Sequence, residues 1–433
     1  MKTLFKKIIA IKLTWIARAI LWRHKPRIIA ITGNVGKTST KDAIYTVLKS
    51  RGGVRKSEKS HNNDLGVPLS IIGVESGLNN PITWLGVFLY GIRQIVASHK
   101  DYPRTLVLEV GADRPGDIQK IAKWLRPHIV VITRLPDVPA HIEFFPTLQS
   151  VVDEKVSLAK YLRKEGTLIL NADDPRVLAI KEKMHARTIT FGQNSIADIQ
   201  ASNVQLLAPS ESDTGVSEGG LAFKLEFEGK SLPVIVPNVY AESYISVALA
   251  ALAVAHVCGE NMITSIMELH AYQTPPGRVR LIAGVHDSIL IDDTYNSSPA
   301  ACEAGLDMLK HIPFGKRKIA IIGDMLELGR HTNEAHRSVG MLAKECASIL
   351  ITVGLRAKEC ALGAVEAGMS DKKIFIADDA ITAGNYMKEI VKSGDVIYIK
   401  GSQQMRMERT VAILMAEPEL ASTLLVRQDA PWS

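Results

Sequence analysis

Along this chain, short apolar runs alternate with segments of helical periodicity. Residues 27–32, "RIIAIT", form an apolar β-type run. A glycine-containing turn follows, and then "KTSTKDAIYTVLKS", which reads as a helix. The same succession returns with "TLVLEVG" (105–111), "IVVITRL" (129–135) and "GTLILNA" (166–172), separated by helical patterns such as "GDIQKIAKWL" and "SVVDEKVSLAKYL". Strands alternating with helices predict a mainly parallel sheet. Over 196–237 the period becomes two, in "ADIQASNVQLL" and "LAFKLEFEGKSLPVIVP", which predicts a small antiparallel sheet. An apolar helix, "AESYISVALAALAVAHVC", comes next. After "YQTPPGR", a hinge signal with two prolines and a glycine, the α/β pattern resumes with "SILIDD", "KIAIIGD", "SILITVG", "KIFIAD" and "DVIYIKG". The expected fold class is α/β. It comprises a basic N-terminal helix (1–26), a P-loop central domain (27–272) whose mainly parallel sheet is joined by a small antiparallel one, and a Rossmann-like C-terminal domain (273–433).

The first segment, "MKTLFKKIIAIKLTWIARAILWRHKPR", places Leu4, Ile8, Ile11, Trp15, Ala19 and Trp22 at helical spacing. Lys12 and Arg18 interrupt the apolar run, which falls short of the roughly 20 apolar residues of a membrane span. No small-residue cleavage site follows, so no secretory signal is expected. Two readings stay open: a helix packed on the body or on a second subunit, or an interfacial helix making peripheral contact with an anionic membrane through residues 1–25.

Charge supports treating this arm separately. The chain carries a net +7, but residues 1–27 contain eight Lys/Arg and no acid, which leaves −1 for all the rest. A basic character confined to one arm gives no expectation of nucleic-acid binding. The four cysteines (Cys258, Cys302, Cys346, Cys360) are scattered, which points to a reducing cytoplasm without a zinc site or disulfide framework.

Candidate chemistry sits at strand ends. Gly33, Asn34, Val35, Gly36, Lys37, Thr38 and Ser39 form a shortened phosphate loop between strand and helix, where backbone N–H groups cradle an anion. Lys37 is placed to neutralise β/γ-phosphate charge, with Thr38 or Ser39 as a Mg2+ ligand. Glu109 ends a strand beside that loop and is either a metal ligand or a solvated strand end. His141 and Lys155 read by default as a structural or exposed histidine and a surface helix lysine. In the second α/β block, Asp292, Tyr295 and Asn296 follow one strand, Asp324 and Glu327 the next, with His336 behind them, and Lys400 ends the last. Three polar strand ends on one sheet edge predict a ligand cleft facing the nucleotide domain.

These motifs together resemble the Mur ligases, ATP-dependent amide-forming enzymes of peptidoglycan synthesis. The resemblance runs over nearly the whole chain after residue 27, through "ITGNVGKTS", "HNNDLGVPLS", "LEVGADRPGDI", "AHIEFF", "EKVSL", "NADDPRV", "PPGRVRLI", "IDDTYNSSP", "GDMLELG" and "KGS". "IDDTYNSSP" and "GDMLELG" are most similar to the type that adds D-Ala-D-Ala to a UDP-N-acetylmuramoyl-tripeptide. The resemblance implies ATP and Mg2+ as cofactors and UDP-sugar peptide and dipeptide substrates. It gives Lys37 and Thr38 the phosphates and metal, Glu109 and His141 the metal sites, and Lys155 carbamylation into a metal-binding anion. It puts Asn62 and Asn63 near the transferring phosphate, Arg278 on the γ-phosphate and Asp293 on the ribose, with domain closure keeping water from an acyl phosphate.

Three departures from that pattern carry expectations. The loop begins at residue 33 with only the basic helix before it, whereas this type starts with a separate UDP-binding domain. A different hold on UDP, a partner, or a different, lipid-linked carboxyl substrate is one alternative, and a non-catalytic, nucleotide-gated membrane or partner-binding protein is the other. The segment expected near adenine reads "NVYAESY" (238–244), so Tyr240, Ala241 and Tyr244 imply a stacked adenine or relaxed base selectivity. Ser157 stands where the family has a glutamate after the modified lysine.

Overall fold

The computed structural model describes residues 2–58, 61–76, 80–96, 98, 101–112, 114–135, 145, 147–212, 215–217 and 219–428, with backbone only at 2–5, 81, 148, 210–212 and 215–217. Two compact units emerge. One comprises Met1–Asn203 with Phe223–Val234 and Tyr244–Tyr272; the other comprises Gln273–Ser433 with Val204–Ala222 and Ile235–Ser243.

The larger sheet is built from β1 (Arg27–Thr32), β2 (Val54–Lys56), β3 (Thr105–Glu109), β4 (Ile129–Ile132), β5 (Thr167–Asn171), β6 (Arg187–Gly192) and β7 (Ile199–Leu207). β8 (Ser210–Ser212) and β9 (Gly215–Ser217) form a separate antiparallel pair, and β10 (Gly220–Phe227) and β11 (Lys230–Pro237) complete the sheet in the order β11-β10-β7-β6-β5-β4-β1-β3-β2. β1 lies between β3 and β4, parallel to both. Residues 28–32 are all buried, as expected of a central strand covered on both faces. Most of the period-two segment joins the main sheet: β7 pairs with β6, so β7, β10 and β11 extend it, and β8 with β9 alone make a small antiparallel sheet apart. The alternating pattern identified half-buried strands correctly, but nothing local to it specifies which strand edge they join.

Six helices of this unit matter here: α1 (Lys2–His24), α2 (Lys37–Leu48), α3 (Gly66–Ile72), α4 (Pro81–Val96), α5 (Asp117–Leu125) and α6 (Leu148–Lys160). α1 packs on α3 and α4. It does so through Ile9, Leu13, Ala17 and Ile20, whereas Ile8, Ile11, Trp15 and Trp22, from the stripe its spacing singled out, are exposed. The helix is apolar on two faces, so periodicity alone could not say which one turns inward. Ile16 lies under Gly91 of α4, where a Cβ would approach its Cγ2 to 2.7 Å. His24 Nε2 donates to the Gln94 carbonyl at 2.7 Å, and its ring stacks on Tyr102. Among the described residues, no helix is long and apolar enough to cross a membrane.

The second unit contains a six-stranded sheet of β12 (Arg280–Gly284), β13 (Ser288–Asp293), β14 (Arg317–Gly323), β15 (Ile349–Val353), β16 (Ile374–Ala377) and β17 (Asp395–Lys400), in the order β12-β13-β17-β14-β15-β16. β12 alone runs antiparallel; the remaining pairs are parallel. The C-terminal ends of β13, β17 and β14 therefore lie side by side. Ile319, Ile321, Ile351, Ile397, Ile399 and Val411 belong to its core.

Candidate active site

In the first unit, the site grows from the end of β1. Gly33 has φ +140°, and a Cβ there would stand 2.1 Å from Thr133 Oγ1. Only glycine lets the loop approach β4 this closely. Thr133 Oγ1 donates to the Val35 carbonyl at 2.7 Å, and Asn34 N–H donates to the Arg134 carbonyl at 2.9 Å, which pins the loop from both sides. Gly36, at φ 82°, caps α2 in the left-handed conformation with no side-chain hydrogen bond. The first turn of α2 thus has no capping side chain at its N-cap, the arrangement in which helix N–H groups receive an anion.

Lys37 Nζ donates to the Asn34 carbonyl at 3.3 Å. Thr38 Oγ1 donates to Glu109 Oε2 at 2.8 Å, while Asn62 Nδ2 donates to Glu109 Oε1 at 3.1 Å. Glu109 itself is buried, and its backbone N–H donates to Ser57 Oγ. Between Thr38 and Ser39, the structure chooses Thr38 for the carboxylate. Ser39 is buried, its hydroxyl 3.4 Å from that of Tyr244, and its carbonyl accepts from Tyr272. Asn63 does not join this group through its oxygen: Oδ1 accepts from Leu65 N–H and Gly66 N–H at the start of α3.

Lys155 lies buried on α6. Its neighbour Glu154 accepts from Gly116 N–H at 2.7 Å and Ile118 N–H at 2.6 Å, a carboxylate set on the N-terminus of α5. Ser157 turns its hydroxyl onto the Glu154 carbonyl. His141 lies outside the described residues. Among those described, no group of three or more His, Cys, Asp and Glu is placed to hold a metal ion.

The loop nevertheless suits a nucleotide phosphate and Mg2+. Asn34 Oδ1 is buried with no hydrogen-bond partner among the described residues. A carboxylate oxygen beside a threonine hydroxyl at the loop helix is a hard-oxygen donor set of the kind Mg2+ takes.

In the second unit, Asp292 is wholly buried and accepts from Gly277 N–H at 2.9 Å and from the Thr294 hydroxyl at 2.6 Å. Burial pushes its carboxyl up to about 6 despite these donors. Expected as a substrate contact, it instead holds the "PPGR" turn against "DTY". Arg278 consequently lies over the Tyr295 ring at 4.1 Å. Asp293 and Lys400 are register partners, and Lys400 Nζ donates to Asp293 Oδ2 at 2.6 Å and to the Asn296 carbonyl at 3.0 Å. Tyr398 donates to the same Asp293 oxygen. Asp324 Oδ1 accepts from Ala357 N–H, and Glu327 is exposed at φ 63°.

His336 is buried. Nε2 accepts from Met325 N–H at 2.9 Å and Nδ1 donates to the Thr332 carbonyl at 2.7 Å, so the ring is neutral and burial lowers its pKa. It braces the "GDMLELG" turn. Tyr240 is buried edge-on to Phe314 at 4.9 Å, and Ala241 and Tyr244 are buried too. Neither tyrosine offers an open ring face, so the expected stacked adenine has no platform there.

Several supporting residues were missed in the sequence. Thr133, Ser57, Tyr272 and Ser402, whose Oγ accepts from Leu326 N–H, act through contacts between distant segments. Ser402 falls in the "KGS" strand end, but the types and spacing of Thr133, Ser57 and Tyr272 carry no motif. Only the position of Thr133, just past an apolar strand, could have drawn attention to it.

Residues 31–254 match the profile of the Mur ligase middle domain, and residues 277–403 that of the Mur ligase, glutamate ligase domain. The UDP-N-acetylmuramoyl-tripeptide–D-alanyl-D-alanine ligase of Mycobacterium leprae (strain TN) is 29% identical over 414 residues, covering 90% of this chain and 74% of that protein. The ligase of the same name from Bacillus subtilis (strain 168) is 25% identical over 406 residues, covering 93% and 79%. Among solved structures, MurF ligase from Thermotoga maritima in complex with ADP aligns with TM-score 0.76 and 25% identity, covering 95% of this chain and 84% of that one.

Proposed function

This chain belongs to the Mur ligase family, and from that premise we propose that it is an ATP-dependent, ADP-forming ligase of the MurF type. It joins the terminal carboxylate of a UDP-N-acetylmuramoyl-tripeptide to the amine of D-alanyl-D-alanine in the cytoplasm. The names of the relatives in M. leprae and B. subtilis and the ADP-bound structural neighbour support this reading. One observation carries it: the Gly33–Ser39 loop with Thr38 turned onto a buried Glu109, whose other oxygen meets Asn62.

A carboxylate is a poor electrophile. Transfer of the γ-phosphoryl group of ATP to it gives an acyl phosphate and ADP. The amine attacks the acyl carbon, a tetrahedral intermediate forms, and inorganic phosphate leaves as the amide bond is completed. The chain's part is chiefly positioning and charge compensation. The N–H groups at the start of α2 and the Lys37 ammonium would hold the phosphates. Thr38 and Glu109 would hold Mg2+, with His141 and a carbamylated Lys155 at a second metal position. When bound, the metal offsets charge on the transferring phosphoryl group. Carbamylation joins the neutral Lys155 amine to CO2 and releases a proton, which turns a cation into an anion. In the second unit, Arg278 and Asp293 are assigned to the nucleotide, and Tyr295, Asn296, Asp324, Glu327 and Lys400 to the substrate side. Asp292 is a positioning residue.

A second reading, in which the carboxyl substrate is lipid-linked and the enzyme makes peripheral membrane contact through residues 1–25, is favoured by exposed Trp15 and Trp22 on a basic helix.

The deciding experiment supplies ATP and Mg2+ with UDP-muramyl-tripeptide and D-Ala-D-Ala, separately and together, and reads phosphate release and product mass. Release that requires both substrates and yields the pentapeptide is expected. No turnover with both present, in a protein that still binds ATP, would overturn the soluble-substrate assignment.

A further inference from the structure

We propose that α1 and α4 together form a face that docks the protein on an anionic lipid bilayer, whichever carboxyl substrate the enzyme takes. On α1, Ile8, Ile11, Trp15 and Trp22 point outward, with Trp15 67% and Trp22 78% exposed. On α4, Leu85, Leu89, Ile92 and Val96 are exposed at helical spacing, while Trp84 and Val87 of the same helix are buried. The two stripes are joined. Lys12 Nζ lies 5.8 Å from the centre of the Phe88 ring. Residues three and four apart are neighbours on a helix, so Lys12 adjoins Ile8 and Trp15 while Phe88 adjoins Leu85 and Ile92.

Charge selects the occupant. Residues 1–27 contain eight Lys/Arg and no acid, and α4 contains Arg93 and no acid. Lys7, Lys12 and Arg18 are exposed on the outward part of α1. A second copy of the chain would set two basic faces against each other without a carboxylate on either helix. Anionic headgroups supply that missing charge, and the outward Trp side chains have the amphipathic form that settles at a headgroup boundary. Neither helix is long and apolar enough to span, so the face lies on the surface rather than through it.

The test is co-sedimentation of the full chain with vesicles of phosphatidylcholine mixed with phosphatidylglycerol, and with phosphatidylcholine alone, at rising salt. Binding to the mixed vesicles that weakens with salt is expected. Lys7→Gln and Lys12→Gln should each lower partitioning on the order of fivefold. Trp15→Ser/Trp22→Ser and, separately, Leu85→Gln/Leu89→Gln should weaken it as well, with unfolding midpoints kept because these side chains are exposed. Equal binding to neutral vesicles, or none to either, would overturn the proposal. Full binding by the Leu85→Gln/Leu89→Gln variant would remove α4 from the face. A dimer that these substitutions dissociate, without vesicle binding, would make a second copy the occupant and overturn it too. Ligation in vesicle-free solution is assayed in parallel. A protein that ligates but ignores vesicles fails only here, and one that binds vesicles without ligating fails only the ligase reading.

Discussion

Replacing Gly33 by alanine asks whether the phosphate loop owes its shape to one close approach. Gly33 sits at φ +140°, where an L-residue is strained by about 1–3 kcal/mol. Its new Cβ would stand 2.1 Å from Thr133 Oγ1 and 3.3 Å from Thr133 Cβ. The second distance is tight but survivable; the first is not. Thr133 can escape by rotating its hydroxyl, which breaks the 2.7 Å hydrogen bond to the Val35 carbonyl, a loss of about 0.5–1.5 kcal/mol. Gly33→Ala should therefore lower stability by roughly 2–4 kcal/mol, or open the loop and weaken nucleotide binding. Thr133→Ala alone loses the hydroxyl's contacts with the Val35 and Thr32 carbonyls, about 1 kcal/mol. In the double variant the overlap with Oγ1 is gone and the hydrogen bond is not lost twice. The pair should then be less damaging than the sum by about 1 kcal/mol. Urea unfolding and calorimetric titration with ADP read the two routes. Strict additivity in both measurements would refute the close-approach argument.

Further outcomes follow from the same geometry. Lys37→Ala should leave the unfolding midpoint nearly unchanged, yet lower substrate-dependent phosphate release by about 10²–10³-fold; unchanged turnover would remove catalysis from the loop. Leu13→Ala, at a fully buried position of α1, should cost about 2–5 kcal/mol, whereas Trp15→Ala on the outward face should stay within about 0.5 kcal/mol; denaturant melts would show a reversed order if the helix faced the other way. His128 accepts the Ile28 N–H at Nδ1, and burial, with Arg163 and Arg27, lowers its pKa to about 4. The unfolded chain thus takes up this proton first, so the contribution is complete above about pH 6.5 and is lost as pH falls toward 4. Solvent screening of this half-buried ring limits the loss to about 1–2 kcal/mol, and His128→Asn, which keeps an acceptor but takes up no proton, should flatten that limb of the stability profile. If Lys155 is carbamylated, ¹³C-bicarbonate should give a carbamate resonance that Lys155→Ala abolishes, and CO2-depleted buffer should slow ligation; a signal that survives the substitution would place the carbamate elsewhere.

Much of this protein is legible in its sequence. Continuous apolar runs such as "RIIAIT" are what a strand buried on both faces requires, and a glycine loop between strand and helix can be read by eye. The three polar strand ends of the second unit also lie together as expected, because parallel strands put their C-termini on one edge. These are local properties, set by periods of 2 and 3.6 residues and by the conformational freedom of glycine. What the tertiary structure decided was apposition. Thr38 and Glu109 meet across a separation of 71 residues, Thr133 and Val35 across 98. No spacing rule could say that Thr38 rather than Ser39 turns to the carboxylate, that Asn63 turns its oxygen to the Leu65 and Gly66 N–H groups, or that Asp292 is sealed inside holding a turn. The same limit explains α1. A helix apolar on two faces satisfies its periodicity either way, and only packing against α3 and α4 chose Leu13 for the core and left Trp15 outside.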